Sequence, residues 1–315
     1  MEHVRWLAHP TMQRPVLISA FTGWNDAAES ASNTVRHLIK AWHAEPLAEI
    51  NPEEFTDFAT VRPHVRLTAD QKRSIVWPTV GLWSARTPGG DVILMLGPEP
   101  AMRWRLFSEQ IIGLAQHFNA SMMLTLGALL ADVPHSRPVQ LIGTATDQET
   151  LDRFDLQRSR YEGPTGIVGV LQDACTRSDL PSASLWAAVP AYASQVPSPK
   201  ATLALVQRAC EMIGTPAPIG TLRTEAEDYD TRVTHFVADD NDLIGYVARL
   251  ENLSDSGELD DYNQDDEDDD GLDDDDDDDD DDSVGGELAA DTEVDSEELM
   301  AEVERFLRDQ GPNGA

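Results

Sequence analysis

The sequence is poor in cysteine and lysine and has no long apolar run. Its 315 residues include two cysteines, Cys175 and Cys210, which excludes a disulfide-stapled secreted domain and predicts reduced thiols. The longest apolar stretch, 122–133, is interrupted by polar residues and is shorter than the roughly 20 residues that cross a bilayer. The first ten residues lack the apolar core of a signal peptide. We therefore expect a cytoplasmic protein that is not associated with a membrane.

Common catalytic motifs are also missing from the sequence. There is no Gly-Lys pair for a phosphate-binding loop, no Gly-x-Ser-x-Gly elbow and no His-Glu-x-x-His or paired Cys-x-x-Cys zinc motif. The chain has three lysines, Lys40, Lys72 and Lys200, which weakens an ATP-dependent interpretation. No catalytic residue and no metal ligand are predicted, and the motifs identify no cofactor.

The acidic charge is concentrated at the C-terminal end. The formal net charge is −35, but 30 of the 58 acidic residues lie in 251–315. Residues 1–250 carry a net charge of only about −7, from 28 acids and 21 Lys and Arg. An anionic core argues against binding nucleic acid through its phosphates, so no nucleic-acid partner is expected.

This charge distribution predicts three segments. An α/β domain covers 1–252, a disordered acidic linker covers 253–294, and an amphipathic helix covers 295–309. The linker includes ten consecutive aspartates, 273–282. Either it is a solvated spacer, or it attracts a basic partner surface while the terminal helix serves as a docking element. The sequence leaves open whether that helix binds its own domain or another molecule.

Apolar runs alternate with amphipathic segments in the first 250 residues. The run 15–21 predicts a strand buried on both faces, and the helix after it would be capped by Asp26 and Glu29 in a capping box. The turn at 88–91 predicts a hairpin between 80–85 and 92–96. The alternation indicates a three-layer α/β/α fold with five or six core strands in a mixed, partly parallel sheet. Residues 199–252 would form a small C-terminal helical appendage.

Candidate site residues follow the ends of predicted strands, where parallel sheets usually bind ligands. They occupy three segments: Trp24, Asn25 and Asp26; Asp132 and His135; Glu162 and Thr165. Amides at a helix start suit a small anion, and histidine suits proton transfer near neutral pH. Each segment also has a structural interpretation: a turn with a packed tryptophan and a helix cap, a surface Asp–Arg pair, and glycines spaced for close helix packing.

Five motifs in this order resemble the actinobacterial branch of the proteasome assembly chaperone 2 family. They are Phe21-Thr-Gly-Trp-Asn-Asp-Ala27, Ala131-Asp-Val-Pro-His-Ser-Arg-Pro138, Tyr161-Glu-Gly-Pro-Thr-Gly166, Ser184-Leu-Trp-Ala-Ala-Val-Pro190 and Pro197-Ser-Pro-Lys-Ala201. The resemblance covers about residues 4–252. It implies an α/β/α domain like the nucleoside phosphorylase or hydrolase fold, self-association into a trimer or larger ring, and proteasome-related chaperoning. It supplies no catalytic residue.

Two functions of different classes follow. The first is a non-enzymatic interaction protein, an oligomeric scaffold or chaperone-like protein whose protein partner is connected with the proteasome. The alternative is a small-molecule-binding protein or an enzyme of phosphorylase, hydrolase or ligase type, with its site at the rim of the strand ends. The alternative requires the candidate side chains to converge on one pocket.

Overall fold

The computed structural model describes residues 1–68 and 70–258 and is built around an eight-stranded sheet. The strands run as β1 Val4–Trp6, β2 Val16–Thr22, β3 Glu45–Ile50, β4 His64–Leu67, β5 Arg73–Val76, β6 Val80–Thr87, β7 Gly90–Pro98, β8 Met122–Ala131, β9 Leu141–Ala145 and β10 Ser182–Pro190. Most of the predicted acidic linker and all of the predicted helix 295–309 lie outside the described residues.

The sheet is mixed, with a parallel centre. Its strand order is β1-β3-β6-β7-β2-β8-β10-β9. Strand β2 lies parallel to both neighbours, with Val16 opposite Val92 in β7 and Met122 in β8, and β10 continues the parallel block beside β8. The outer strands β1, β3, β6 and β9 pair antiparallel. Strands β4 and β5 form a separate two-stranded hairpin.

Helices cover both faces of the sheet and make the predicted three layers. The helices are α1 Ser30–Ala41, α2 Trp104–His117, α3 Gln148–Phe154, α4 Ile167–Arg177, α5 Pro199–Met212, α6 Leu222–Ala238 and α7 Asn241–Ser256. Alternate side chains of β2 point to opposite faces. Ile18 packs in the core with α1 and α5, whereas Leu17 and Phe21 pack in the core with α2 and α4.

The C-terminal helices divide between the outer layer and a separate cluster. The side chain of Ser198 accepts a hydrogen bond from the Ala201 amide and caps α5, as the Ser-Pro pair predicts. Helix α5 packs directly on the sheet, so in the predicted appendage only α6 and α7 form apolar clusters of their own. Helix α7 continues through Ser256, four residues into the predicted linker, before Gly257 ends it in a left-handed conformation.

The α/β/α fold class is confirmed, and the differences are in detail. The sheet has eight strands and not the predicted five or six, because the short edge strand β1 and its neighbour β3 join it. Helix α3 was not predicted, although Asp147 caps it by accepting the Thr150 amide. Among the residues that the structure describes, every helix is too short or too polar to cross a bilayer.

Candidate functional site

The turn after β2 fixes the first candidate segment against the end of β8. Gly23 takes a φ of 120°, a conformation that favours glycine, and the chain then places the Asn25 carbonyl 2.9 Å from the Ala128 amide nitrogen. The Asn25 side chain is fully buried. Its Nδ2 donates to Glu99 Oε1 at 2.8 Å. Asn25 is therefore held by the sheet and is not presented to solvent.

Glu99 is a member of this site that the sequence analysis missed. It follows β7 directly, and its Oε1 also accepts the Ile167 amide at 2.7 Å, at the first residue of α4. A carboxylate there is favourable because the N-terminus of a helix carries partial positive charge. A Cβ on Gly166 would lie 2.3 Å from Asn25 Oδ1, so only glycine lets α4 start this close to β2. The signal was an acidic residue directly after a buried strand.

Asp26 serves the start of α1, but not through the predicted capping box. Helix α1 begins at Ser30, and Ala28 and Glu29 before it both adopt left-handed conformations. Asp26 Oδ1 accepts the Ser32 amide at 2.9 Å, whereas Glu29 makes no capping hydrogen bond. Burial raises the pKa of the Asp26 carboxyl, and hydrogen bonds from Ser32 partly oppose that rise.

Two aromatic side chains at this edge are exposed. Trp24 is 66% exposed and Tyr161 is 56% exposed, so the packed-tryptophan interpretation is wrong. Tyr161 Oη donates to the Pro164 carbonyl at 2.8 Å, a hydrogen bond within the loop that ends at Gly166 beside Asn25. We call Trp24, Asn25, Glu99, Tyr161 and Gly166 the Trp24 edge. Its polar groups are covered and its aromatic rings are open to solvent.

The two predicted residues of the third segment, Glu162 and Thr165, are exposed on the same loop. Thr165 Oγ1 lies 3.5 Å from the Gly166 carbonyl, a contact within the loop itself. Neither residue makes a hydrogen bond to Asn25 or Asp26 among the residues that the structure describes. Their role in binding a ligand stays a prediction.

His135 lies in a second group, 5% exposed, between the end of β10 and α6. Tyr192 Oη accepts the His135 backbone amide at 2.7 Å and lies 2.9 Å from Nδ1, and Thr234 Oγ1 lies 3.0 Å from Nε2. The Thr234 hydroxyl proton is donated to the Asp230 carbonyl at 2.8 Å. Nε2 therefore carries the imidazole proton and Nδ1 accepts from Tyr192, which assigns the neutral tautomer.

Electrostatics agree with a neutral His135. Burial lowers the pKa of the imidazole, Asp230 opposes that effect, Lys200 reinforces it and Glu251 opposes it. The Lys200 ammonium donates to the His135 carbonyl and pairs with Asp230 at 2.9 Å. Since both ring nitrogens are occupied, His135 is arranged as a structural link and not as a free base.

The rest of this loop is joined to α7. Tyr246 donates to Asp132, and Arg137 forms a two-pronged ion pair with Asp255, with N···O distances of 2.8 and 2.7 Å. Glu251 Oε1 lies 3.4 Å from Arg137 Nη1. We call the loop 132–137 and its partners in α5, α6, α7 and the turn after β10 the His135 cluster. It ties the C-terminal helices to the end of β8.

A cavity of about 230 Å³ lies beside the His135 cluster. His135 is the one predicted candidate that lines it, together with Ser198, Lys200 and Tyr229. The structure thus places Asn25 and Asp26 with Glu99 and helices α1 and α4, and places Asp132 and His135 with α6 and α7. The side chains of Asn25 and Asp26 thus bond to Glu99 and Ser32, whereas those of Asp132 and His135 bond to Tyr246, Tyr192 and Thr234.

The cysteines are buried within the layers. Burial raises the pKa of Cys175 and of Cys210 to about 12, so both thiols stay protonated at neutral pH. Cys175 donates to Met123 Sδ at 3.5 Å. Within the described part of the chain, no three His, Cys, Asp or Glu side chains are grouped to hold a metal ion.

The fold is a three-layer α/β architecture. The motifs that follow its strands resemble those of the proteasome assembly chaperone 2 family. The family model of the PAC2 family matches residues 20–237. The chain belongs to the PAC2 family. The comparison with curated proteins gave no match.

Solved structures of actinobacterial proteins are similar to the chain. A PAC2 family protein from Streptomyces avermitilis is 42% identical, with a TM-score of 0.69, over 74% of this chain and 99% of the other. A Mycobacterium tuberculosis proteasome-assembly chaperone homologue is 41% identical, with a TM-score of 0.68, over 74% of this chain and 99% of the other. The archaeal proteasome activator PbaB of Pyrococcus furiosus, 14% identical with a TM-score of 0.60 over 74% and 97%, shares the fold.

Proposed function

We propose that the chain is a non-enzymatic interaction protein, an oligomeric and chaperone-like scaffold whose protein partner is the proteasome core or its precursors. Membership of the PAC2 family supports a proteasome-related role. So does the 41% identity with a protein described as a proteasome-assembly chaperone homologue. The cytoplasm, where proteasome particles assemble, is the proposed location.

The observation that carries the proposal is the exposed Trp24 ring on a rigid edge. Tryptophan and tyrosine dominate protein-binding hot spots because they bury a large area at a small entropic cost. Trp24 follows Gly23 and precedes the fully buried Asn25, so its backbone is fixed before any partner arrives. Tyr161 adds a second exposed ring on the loop that packs against Asn25. A preformed aromatic surface of this kind suits a protein partner.

The polar candidates support the same interpretation. Asn25, Asp26, Asp132 and His135 all donate or accept hydrogen bonds that join secondary-structure elements. A general base must present a free nitrogen or oxygen to its substrate, and His135 presents none. These residues therefore build a scaffold.

The test uses the full-length chain and purified proteasome core particles and unassembled core subunits from the same organism. We expect the wild-type chain to bind at least one of these preparations in biolayer interferometry. Trp24→Ala should weaken that binding at least tenfold, while Ile142→Ala, which shortens a 40% exposed side chain on the edge strand β9, should not. Absence of wild-type binding, or equal binding by Trp24→Ala, would contradict the proposal.

A second candidate function rests on the 230 Å³ cavity beside the His135 cluster. Buried hydroxyls of Ser198 and Tyr229 and the Lys200 ammonium line it among apolar side chains, which suits a small polar molecule. A thermal-shift panel of small metabolites would test it. A ligand that stabilises the wild-type chain should stabilise Tyr229→Phe less, and equal stabilisation of both would place the ligand elsewhere.

A further inference from the structure

The β4–β5 hairpin has an apolar face that nothing in the described structure covers. Val65 lies opposite Ile75, and Leu67 lies two residues farther along β4, so these three side chains share one face of the ribbon. Trp77, two residues beyond Ile75, extends the same face. Their exposed fractions are 49% for Val65, 51% for Ile75, 63% for Leu67 and 46% for Trp77. Four large apolar side chains on one open face are typical of an interaction surface.

The hairpin is separate from the main sheet. Its two strands pair with each other alone among the described strands, and every described residue of both strands is exposed. An isolated two-stranded hairpin is marginally stable in water without something packed on it. Phe58, with its ring centroid 5.1 Å from that of Trp77, supports the base of the hairpin.

The charge of the hairpin is opposite to that of the chain. Residues 62–77 contain four Lys and Arg and one Asp, within a chain of net charge −35. Arg66 and Arg73 are exposed and form no salt bridge with any carboxylate among residues 1–68 and 70–258. The surface that fits this hairpin must therefore be acidic as well as apolar.

The corner between α6 and α7 has that chemistry. Residues 236–245 contain three aspartates and no Lys or Arg. Phe236 and Ile244 flank the corner with exposed fractions of 57% and 43%. Asp240 is used internally, because its Oδ1 accepts the Asp242 and Leu243 amides and caps α7, but Asp239 and Asp242 are exposed. We call residues 236–245 the acidic corner.

We propose that the β4–β5 hairpin of one copy docks on the acidic corner of a second copy. The exposed apolar side chains of the two surfaces would cover each other while Arg73, which lies opposite Leu67 on the apolar face, approaches Asp239 and Asp242. Arg66 lies on the other face of the ribbon and adds to the positive charge of the hairpin. The two surfaces are different parts of one chain, so the contact is head-to-tail and leaves the acidic corner free on one copy and the hairpin free on the other. Such a contact repeats and closes into a ring when the rotation allows it. This inference rests on the self-association in the proposed function and assigns its interface.

Charge reversal tests the pairing in the full-length chain. Arg66→Glu/Arg73→Glu makes the hairpin acidic, and Asp239→Arg/Asp242→Arg makes the corner basic while leaving the Asp240 cap in place. In sedimentation velocity each variant alone should assemble at least tenfold more weakly than the wild-type chain. A matched control, Arg105→Glu on the exposed face of α2, should assemble as the wild-type chain does.

Mixing the two variants gives the sharper result. One variant then has two acidic surfaces and the other has two basic surfaces, so each contact between unlike copies is again complementary. We expect an equimolar mixture to assemble when neither variant does, into alternating species with even copy numbers. Circular dichroism of each variant, unchanged from that of the wild-type chain, excludes loss of the fold as the cause.

The other outcomes overturn the inference in distinguishable ways. If the wild-type chain assembles and both variants assemble equally well, the interface is wrong but self-association stands. If the hairpin variant fails while the corner variant assembles, the hairpin binds a different acidic surface and the pairing is wrong. A wild-type chain that stays monomeric at all concentrations contradicts both the interface and the proposed oligomeric scaffold.

Discussion

The Trp24 edge and the His135 cluster both follow strand ends, yet they arrange their side chains in opposite ways. At the Trp24 edge the polar groups of Asn25 and Glu99 bond to each other, and the Trp24 ring is 66% exposed. In the His135 cluster the tyrosines Tyr192 and Tyr246 are turned inward, with their rings 6.0 Å apart, and donate or accept hydrogen bonds. The first region exposes apolar surface to solvent, and the second joins secondary-structure elements of the chain.

The largest expected effect on stability is at the covered part of the Trp24 edge. Gly166→Ala would place a Cβ 2.3 Å from Asn25 Oδ1, and Asn25 is fully buried and bonded to Glu99, so we expect a loss of about 2–3 kcal/mol in unfolding free energy. Urea denaturation measures it. Gly245→Ala in α7 meets nothing within 4 Å and should stabilise by about 0.5–1 kcal/mol. A Gly166→Ala protein as stable as the wild type would show that α4 does not depend on this contact.

The second-largest loss of stability is expected at Tyr192 in the His135 cluster. Tyr192→Phe removes the hydroxyl that serves both the His135 amide and Nδ1, and leaving buried groups unpaired should cost about 1–3 kcal/mol. The paired control is Tyr161→Phe at the Trp24 edge. Because this ring is exposed, the unfolding free energy of the variant should fall by less than about 0.5 kcal/mol. Urea denaturation measures both values. Equal losses of unfolding free energy in the two variants would contradict the difference between the two regions.

A smaller effect is the pH dependence of the His135 cluster. Burial lowers the pKa of His135 below its ordinary value of 6.5, so the unfolded chain binds the proton first as the pH falls. The contribution of neutral His135 to the free energy of unfolding should therefore be fully present above pH 6.5, the pKa of this histidine in the unfolded chain. It should decline at lower pH by at most about 1.4 kcal/mol per pH unit for one proton. Unfolding free energies from pH 8 to pH 5.5 should show a shallower decline for His135→Gln. Parallel curves for the two proteins would mean that His135 titrates alike in both states.

The smallest effect on stability is expected at the exposed ring. Trp24→Ala should change the unfolding free energy by no more than about 0.5 kcal/mol, because the ring is mostly in water in the isolated chain. Differential scanning calorimetry checks this value. A loss above 1.5 kcal/mol would indicate that Trp24 supports the fold, and its role as a contact surface would lose its basis.

Much of the fold was predictable because its signals are local. The apolar run around β2 indicates a strand buried on both faces, and both faces are covered. Ser198 and Pro199 mark the start of α5, where the Ser198 hydroxyl accepts the amide of Ala201, three residues farther along the chain. The start of α7 follows from local capping chemistry too, because Asp240 accepts the Asp242 and Leu243 amides.

The less predictable parts depend on contacts that are remote in the sequence. Glu99 meets the Ile167 amide across 68 residues, and only the pairing of β7 with β2 brings them together. The left-handed Ala28 and Glu29 displaced the start of α1 from the residue that ordinary capping rules select. Strand β4 has the alternation of a half-buried strand, so its pattern alone does not show that the apolar face of the hairpin is uncovered.

Hydrogen–deuterium exchange with and without purified proteasome core locates the partner on the full-length chain. We expect slower exchange at 23–26 and 161–166 when the core particles or their subunits are added, with the amides of the His135 cluster unchanged. Slower exchange confined to the His135 cluster, or no change anywhere on the chain, would contradict the role of the Trp24 edge as the contact surface.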